Sequence, residues 1–351
     1  MTDSTRMNCS VRPYHDSDRA AWDRYVEQHP YGSPFHLIAW KNCMQATFGY
    51  TPMYLVAEST PGHLCGILPL FLIRNFLQGA VLVSSPFAVY GGVLASADDA
   101  RNALADEVRA LATRFQVQHV ELRNSHPEQC CGFDRIARYA TFTQALHPVD
   151  GETLLAEIPK KTRNLIRKAL KNPFQSRIAT NLDAFYGLLA DTYRRLGTPL
   201  FPRSHFENIL REFGPLADVR EVFLEDKLAA VSLNFLFRGE MHTYYAASNQ
   251  DLLSLAPNNF LYYDHILWAC QNGYRSFDFG RSKYDTGNFD FKKHWATEIR
   301  DLPYEMLLVR RKTVPDFTPK NESFGRAIQI WRKLPLPVTK ALGPFLIRLF
   351  P

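Results

Sequence analysis

The residues best suited to chemistry stand close together late in the chain. They are Phe277-Asp278-Phe279-Gly280-Arg281-Ser282-Lys283, then Gly287, then Phe289-Asp290-Phe291-Lys292-Lys293-His294-Trp295. Phe277 and Phe279 fall on one face of an extended chain and Asp278 on the other, because side chains alternate along a strand. A carboxylate is thereby set opposite two apolar anchors, and Gly280 lets the backbone turn or a ligand approach closely. Arg281, Lys283, Lys292 and Lys293 place four positive charges within thirteen residues, against Asp285 and Asp290. Such a cluster suits a phosphate- or carboxylate-bearing substrate. The same pattern also fits a solvated basic hairpin.

Other chemistries find little support. Cys9, Cys43, Cys65, Cys130, Cys131 and Cys270 show no CxxC spacing, so neither a zinc site nor a disulfide framework is expected. No His, Cys, Asp or Glu cluster has ligand spacing, and no metal is expected. No Ser-His-Asp or Cys-His arrangement has a recognisable local context, which points to direct attack without a covalent enzyme intermediate. Ser84 to Gly92 places two glycines after an aromatic but has no following Lys-Ser or Lys-Thr, so it reads as a turn or bulge.

The elements that must hold the cluster repeat along the chain. With 351 residues, 46% of them hydrophobic and 22% charged, the sequence fits two soluble domains rather than one core. In the first half, residues 53–58 and 64–73 read as a hairpin, 88–94 as a strand ending in small residues, 97–115 as a helix and 117–123 as a closing strand. In the second half the same order recurs at 219–224 with 228–237, 241–247, 259–270 and 274–279. Helices open each unit, at 16–28 in the first and at 181–196 and 203–213 in the second. The fold class is mixed α/β, with domains expected at 1–155 and 156–312 and a basic apolar tail at 313–351. His242, Tyr244 and Tyr245 share one strand, with Tyr244 facing opposite to Thr243 and Tyr245. Arg194, Arg195 and Arg203 lie at helix ends, where they are either solvated or part of a substrate cavity.

The net charge of +6 is concentrated in two segments. Lys160, Lys161, Arg163, Arg167, Lys168 and Lys171 stand together without an acid, on a helix whose expected apolar stripe is Ile158, Leu165, Ile166, Ala169 and Leu170. This is either a solvated connecting helix or a surface for a polyanion, RNA or lipid phosphate. The tail mixes Lys320, Arg326, Arg332, Lys333, Lys340 and Arg348 with many apolar residues. It either packs on the protein or makes peripheral contact with an anionic membrane, with Trp331 at the interface. Pro335, Pro337 and Pro344 are expected to break it into short pieces. The N-terminal residues show no signal-peptide run, and no apolar stretch of about 18 residues occurs, so the chain is expected to stay cytoplasmic.

The repeated unit resembles the GNAT acyltransferase fold, and the tandem pair resembles the Fem (FemAB) family of aminoacyl- and acyltransferases, closest to its branch associated with PEP-CTERM and exosortase systems. The residues carrying this are 277–283, Gly287, Phe291-Lys292-Lys293 and Trp295, with weaker support from residues 159–164 and 331–337. The resemblance implies a catalytic cavity at Phe291 and Lys292 and the transfer of an aminoacyl or acyl group from a carrier to an amine of a cell-envelope or exopolysaccharide precursor. Lys292 or Arg281 would stabilise the developing oxyanion, and Asp278, Asp285 or Tyr245 would take the amine's proton. Ser282, Gly280, Lys283, Lys293, Phe291, Tyr244, Arg203, Asn258 and Asn259 would bind substrate. No tightly held cofactor is implied; the donor is aminoacyl-tRNA or acyl-coenzyme A. One departure bears on that choice: residues 248–259, where such a fold presents a glycine-bearing pyrophosphate loop, contain no glycine, although Asn258 or Asn259 could cap a helix there. A coenzyme A-dependent N-acyltransferase and a non-catalytic module for anionic lipid or RNA are the alternatives.

Overall fold

The computed structural model describes residues 9–295, 298–315 and 322–351, with side chains of the last stretch from Gly325 onward. The tail's Lys320 lies outside them. Two compact units emerge, one formed by Met1–Arg138, Leu302–Asp316 and Arg348–Pro351, the other by Tyr139–Asp301 and Phe317–Ile347.

The first unit holds two sheets. Ser10–Pro13, Leu55–Thr60, His63–Leu68 and Leu94–Ala95 form one; Thr51–Pro52, Leu70–Asn75, Gly79–Ser84, His119–Leu122, Tyr304–Leu308 and Asp134–Ile136 form the other. The segment 64–73, expected as one strand, is divided at Pro69, and its two parts join different sheets. Proline has no N–H to give a ladder, so it sits naturally where the chain changes sheet. The expected strand at 88–94 is reduced to Leu94–Ala95, and positive φ angles at Ser85 (40°), Phe87 (63°) and Gly91 (126°) keep the preceding residues out of a ladder. The helix Asp98–Arg114 closes this unit, burying Leu104, Val108 and Leu111 at i, i+4 and i+7.

The second unit is built on one eight-stranded sheet. Its path runs Phe174–Ile178, Ala217–Leu224, Lys227–Phe237, Glu240–Ser248, Ser276–Asp278, Tyr139–Ala145 and Ser282–Lys283, and Glu298–Asp301 pairs with Tyr139–Ala145. The ladders are antiparallel except where Glu240–Ser248 runs parallel to Ser276–Asp278. A parallel pair needs a crossover, and the helix Pro257–Gln271 supplies it. Phe142, Ile166, Phe260, Ile266, Phe277, Phe279 and Trp295 meet in the core between sheet and helices.

Two helical segments differ in detail from what their sequences lead one to expect. On Lys160–Ala169 the buried positions are Thr162, Ile166 and Ala169, while Leu165 and Leu170 are exposed, because the inward face follows i, i+4, i+7 from Thr162. The tail forms two helices, Glu322–Lys333 and Leu336–Leu346. Pro337 falls in the first turn of the second, where no N–H is required, so it starts a helix instead of breaking one. Trp331 is buried rather than interfacial.

Candidate active site

The short strand Ser276–Asp278 gathers the site because it is gripped on both edges. Tyr139–Ala145 pairs with one edge, and on the other the register sets Glu240 beside Ser276, Met241 beside Phe277 and His242 beside Asp278. Phe277 and Phe279 lie on the core face as alternation requires, their rings 4.8 Å apart, and Phe279 stacks on Tyr262 at 5.4 Å. Asp278 turns to the other face and is buried. Its Oδ1 accepts the Gly280 N–H at 2.6 Å, and its Oδ2 lies 3.8 Å from His242 Nδ1.

Gly280 has φ +73°, a conformation that costs other L-residues about 1 to 2 kcal/mol. A Cβ there would lie 3.3 Å from His242 Nε2 and 3.7 Å from Lys292 Nζ. The glycine therefore allows the turn and lets the two nitrogens converge on it.

Lys292 comes from the helix Gly287–Lys293. Thr286 caps this helix, accepting the Phe289 N–H at 3.3 Å and donating its hydroxyl to the Lys283 carbonyl at 2.8 Å, so the helix is fastened to the strand it overlies. Lys292 Nζ then donates to the carbonyls of Gly280 at 3.1 Å and Arg281 at 3.0 Å. The Lys292 ammonium is lowered to about 8, chiefly by burial, with Asp278 opposing the fall and Arg281 adding to it. Burial also holds His242 below its ordinary value, with Lys292 adding to that and Asp278 working against it. Glu240 is pushed up to about 8 by burial and by the neighbouring Asp278. The group is a cationic nitrogen, a neutral imidazole and a carboxylate around one turn.

Glu240 and His242 are the residues that sequence reasoning left without a role. Glu-x-His sets both on one face of a strand, but only the parallel pairing brings Asp278, thirty-six positions after His242, alongside them. Glu240, His242 and Asp278 each offer a ligand atom, all within 4.8 Å of one another, so these three could hold a cation. Positive charge is already supplied there by Lys292 acting on Asp278 and by Arg300 and Arg238 acting on Glu240.

The remaining candidates are distributed unevenly. The Arg281 guanidinium and the Lys283 ammonium both lie over the Tyr139 ring, at 4.5 and 5.8 Å. Ser282 is buried, and its Oγ has no partner among the described residues. Phe291 packs on Tyr262 at 5.4 Å, and Lys293 is exposed, as is Asp285. A bulge, with Leu233 opposite Tyr245 and Asn234 opposite Thr243, leaves Tyr244 as an extra residue and breaks the expected alternation. Tyr244 meets the His242 ring edge-on at 5.3 Å, whereas the buried Tyr245 bonds through its hydroxyl to His205 Nε2 at 2.9 Å. Arg203 is half-buried and paired with Asp183 and Glu207; Arg194 and Arg195 both pair with Asp191. Neither Asn258 nor Asn259 caps the helix Pro257–Gln271: that position belongs to Ala256, and the asparagines follow inside the first turn. Lys160, Lys161, Arg167 and Lys168 are exposed and Arg163 is half-buried; Thr162 donates to the His294 carbonyl at 2.9 Å, tying this basic helix to the turn just after Lys292.

Comparison with known proteins follows the same lines. Residues 159–293 match the acetyltransferase (GNAT) domain. Among solved structures, the chain is similar to FemX, at 16% identity over 86% of this chain and 98% of that one, with a TM-score of 0.68. It is also similar to L-PGS from Bacillus licheniformis, at 11% identity over 90% and 96% of the two chains, TM-score 0.53. A tandem GNAT protein from the clavulanic acid biosynthesis pathway matches at 11% identity over 88% and 100%, TM-score 0.51. No curated protein sequence matches the chain. The structural likenesses establish a mixed α/β fold of tandem GNAT-like form. Within that fold the chain carries an acetyltransferase (GNAT) domain over residues 159–293, and its chemistry is GNAT-type acyl transfer.

Proposed function

We propose that the protein transfers an aminoacyl or acyl group from an activated carrier to an amine of a cell-envelope or exopolysaccharide-related precursor, with the chemistry in its second unit. The observation that carries this reading is Lys292, whose ammonium is held on the Gly280 and Arg281 carbonyls beside Asp278 and His242. The amine nitrogen attacks the carrier's ester or thioester carbonyl, and the oxyanion forming there is stabilised by Lys292 or Arg281. Collapse forms the amide and breaks the C–O or C–S bond to the carrier. The proton lost by nitrogen is relayed to the leaving oxygen or sulfur, and neutral His242 backed by Asp278 is placed to carry it. The exposed Asp285 and the His205-bonded Tyr245 are less suited to that task.

Aminoacyl-tRNA is the favoured donor. Between the strand Glu240–Ser248 and the helix Pro257–Gln271 lies a 3-10 helix, Gln250–Leu255, and the first position of the following helix is a proline with no N–H to offer a pyrophosphate. The exposed cations of Lys160–Ala169 provide a phosphate-binding face on the helix tied beside the Lys292 turn. Acyl-coenzyme A is the second reading, supported by the acetyltransferase domain match. That match also argues against a non-catalytic binding module. The PEP-CTERM-associated branch of the Fem family remains the assignment of pathway. Such an enzyme works in the cytoplasm, in peripheral contact with the inner face of the membrane where lipid-linked precursors are presented.

The test incubates the purified protein with labelled aminoacyl-tRNA or acetyl-coenzyme A and lipid-linked amine acceptors, and follows label into amide product. Lys292→Met should lower the transfer rate by about 100-fold or more, the scale for losing an oxyanion-stabilising group. An unchanged rate in a folded variant would remove Lys292 from the mechanism.

A further inference from the structure

The helix Leu336–Leu346 is apolar on two sides. Thr339 and Gly343 are buried four residues apart, and Gly343 sits so close to Leu200 that an added Cβ would lie 2.8 Å from its backbone nitrogen. A neighbouring side, about a third of the way round the helix, presents Val338, Leu342 and Phe345 at i, i+4 and i+7, with 37%, 46% and 70% of their surfaces exposed. A helix with one apolar stripe packed and another in water has a second surface to cover. The preceding helix, Glu322–Lys333, repeats the theme: Ile330 is 63% exposed, with exposed Arg326 and Lys333 four residues before and three after it on the same side.

The charge around these residues selects the occupant. From Gly325 to Pro351 the sequence has no acidic residue, and of its five cations Arg326 and Lys333 stand exposed beside Ile330, while Arg332 donates to the Leu196 carbonyl, Lys340 lies over the Tyr186 ring and Arg348 donates to the Thr47 carbonyl. A second copy of the chain would set cation against cation. An anionic lipid surface instead matches both features, since headgroups pair with Arg326 and Lys333 and the acyl boundary accepts Ile330, Val338, Leu342 and Phe345. No described helix is long and apolar enough to cross a membrane, so contact would be along the surface.

We infer that the exposed sides of Glu322–Lys333 and Leu336–Leu346 form a docking surface for anionic lipid. This inference rests on the proposed membrane location and gives that location its contact residues. It does not depend on the transfer chemistry.

The experiment sediments the full chain with vesicles of phosphatidylcholine containing about 30% phosphatidylglycerol, and with pure phosphatidylcholine, at about 0.1 M salt. Binding to the anionic vesicles alone is expected. The double variant Leu342→Ser/Phe345→Ser should weaken it by about tenfold or more, and Arg326→Gln or Lys333→Gln by about fivefold each. These side chains are exposed, and circular dichroism of each variant checks its fold. If a variant fails to fold, the unmodified protein still decides: binding unchanged at about 0.5 M salt overturns the electrostatic half of the inference. Absence of binding to anionic vesicles overturns the whole, as does equal binding by wild type and all variants. A lipid-free dimer that Leu342→Ser/Phe345→Ser dissociates in light scattering would assign the surface to a second copy instead. Vesicle binding by a protein that transfers nothing would leave the docking surface standing while the proposed reaction fails.

Discussion

His205 provides a sharp test of how this fold handles a buried base. It lies on the helix Arg203–Phe213, fully removed from water, stacked on Phe201 at 4.5 Å and bonded through Nε2 to the Tyr245 hydroxyl at 2.9 Å. Burial drives its pKa down from 6.5 to about 3. The native imidazole is therefore neutral throughout ordinary conditions, while the unfolded chain takes up a proton below its own pKa. Stability from this residue is fully present above pH 6.5 and is lost as pH falls toward 3. At pH 5 the native residue is still neutral and the unfolded one protonated, which at 1.36 kcal/mol per pH unit costs about 2 kcal/mol relative to pH 7.5. That is a large share of the roughly 5 to 15 kcal/mol available to a domain.

The assay is urea denaturation of wild type and His205→Gln at pH 7.5 and at pH 5. Substitution carries its own loss, through the Tyr245 bond and the stacking, but that loss cancels when each protein is compared with itself. Other titrating groups cancel between the two proteins. Wild type should lose about 2 kcal/mol more than the variant on acidification. Parallel pH dependences would show that the native site accepts a proton near the ordinary value, and the account of a dry aromatic nest around His205 would be abandoned.

Transfer should slow as pH rises through about 8, where Lys292 gives up its proton and with it the oxyanion's cation; a rate that stays level from pH 7 to about 9.5 contradicts this role. Gly280→Ala should lower stability by about 1 to 2 kcal/mol in urea denaturation and reduce transfer, because the left-handed turn is strained and the new methyl presses on His242 Nε2. A variant as stable as wild type would mean that the turn tolerates a side chain. In the first unit, Glu305 accepts from Asn124 Nδ2 and the Cys131 N–H at 2.7 Å and the Phe133 N–H at 2.8 Å. Glu305→Ala strands these donors, and a loss of about 3 to 5 kcal/mol is expected. A loss under about 1 kcal/mol would indicate that water replaces the carboxylate.

The local features of this protein were readable from residue order because they depend on near neighbours. Alternation along the strand put Phe277 and Phe279 in the core and Asp278 opposite them, and turn residues marked the hairpin joining Ala217–Leu224 to Lys227–Phe237. The basic segment formed the helix its composition suggested. Errors arose where two residue types compete for one interpretation. Pro69 divided an apolar run between sheets, and Pro337 began a helix, since the missing N–H matters only where a backbone partner waits for it.

What tertiary structure alone decided was which distant residues share a surface. Parallel pairing has no short-range signal, because its crossover separates the partners by an entire helix, so nothing near His242 in sequence announces Asp278. The same holds for Lys292, whose position depends on a helix capped by Thr286 settling over the Gly280 turn. Trp331 and Phe345 are both large, apolar and near cations, yet one is buried and the other open to water. Composition sets how much apolar surface a segment carries; only the packing of neighbouring elements determines which part of it is covered.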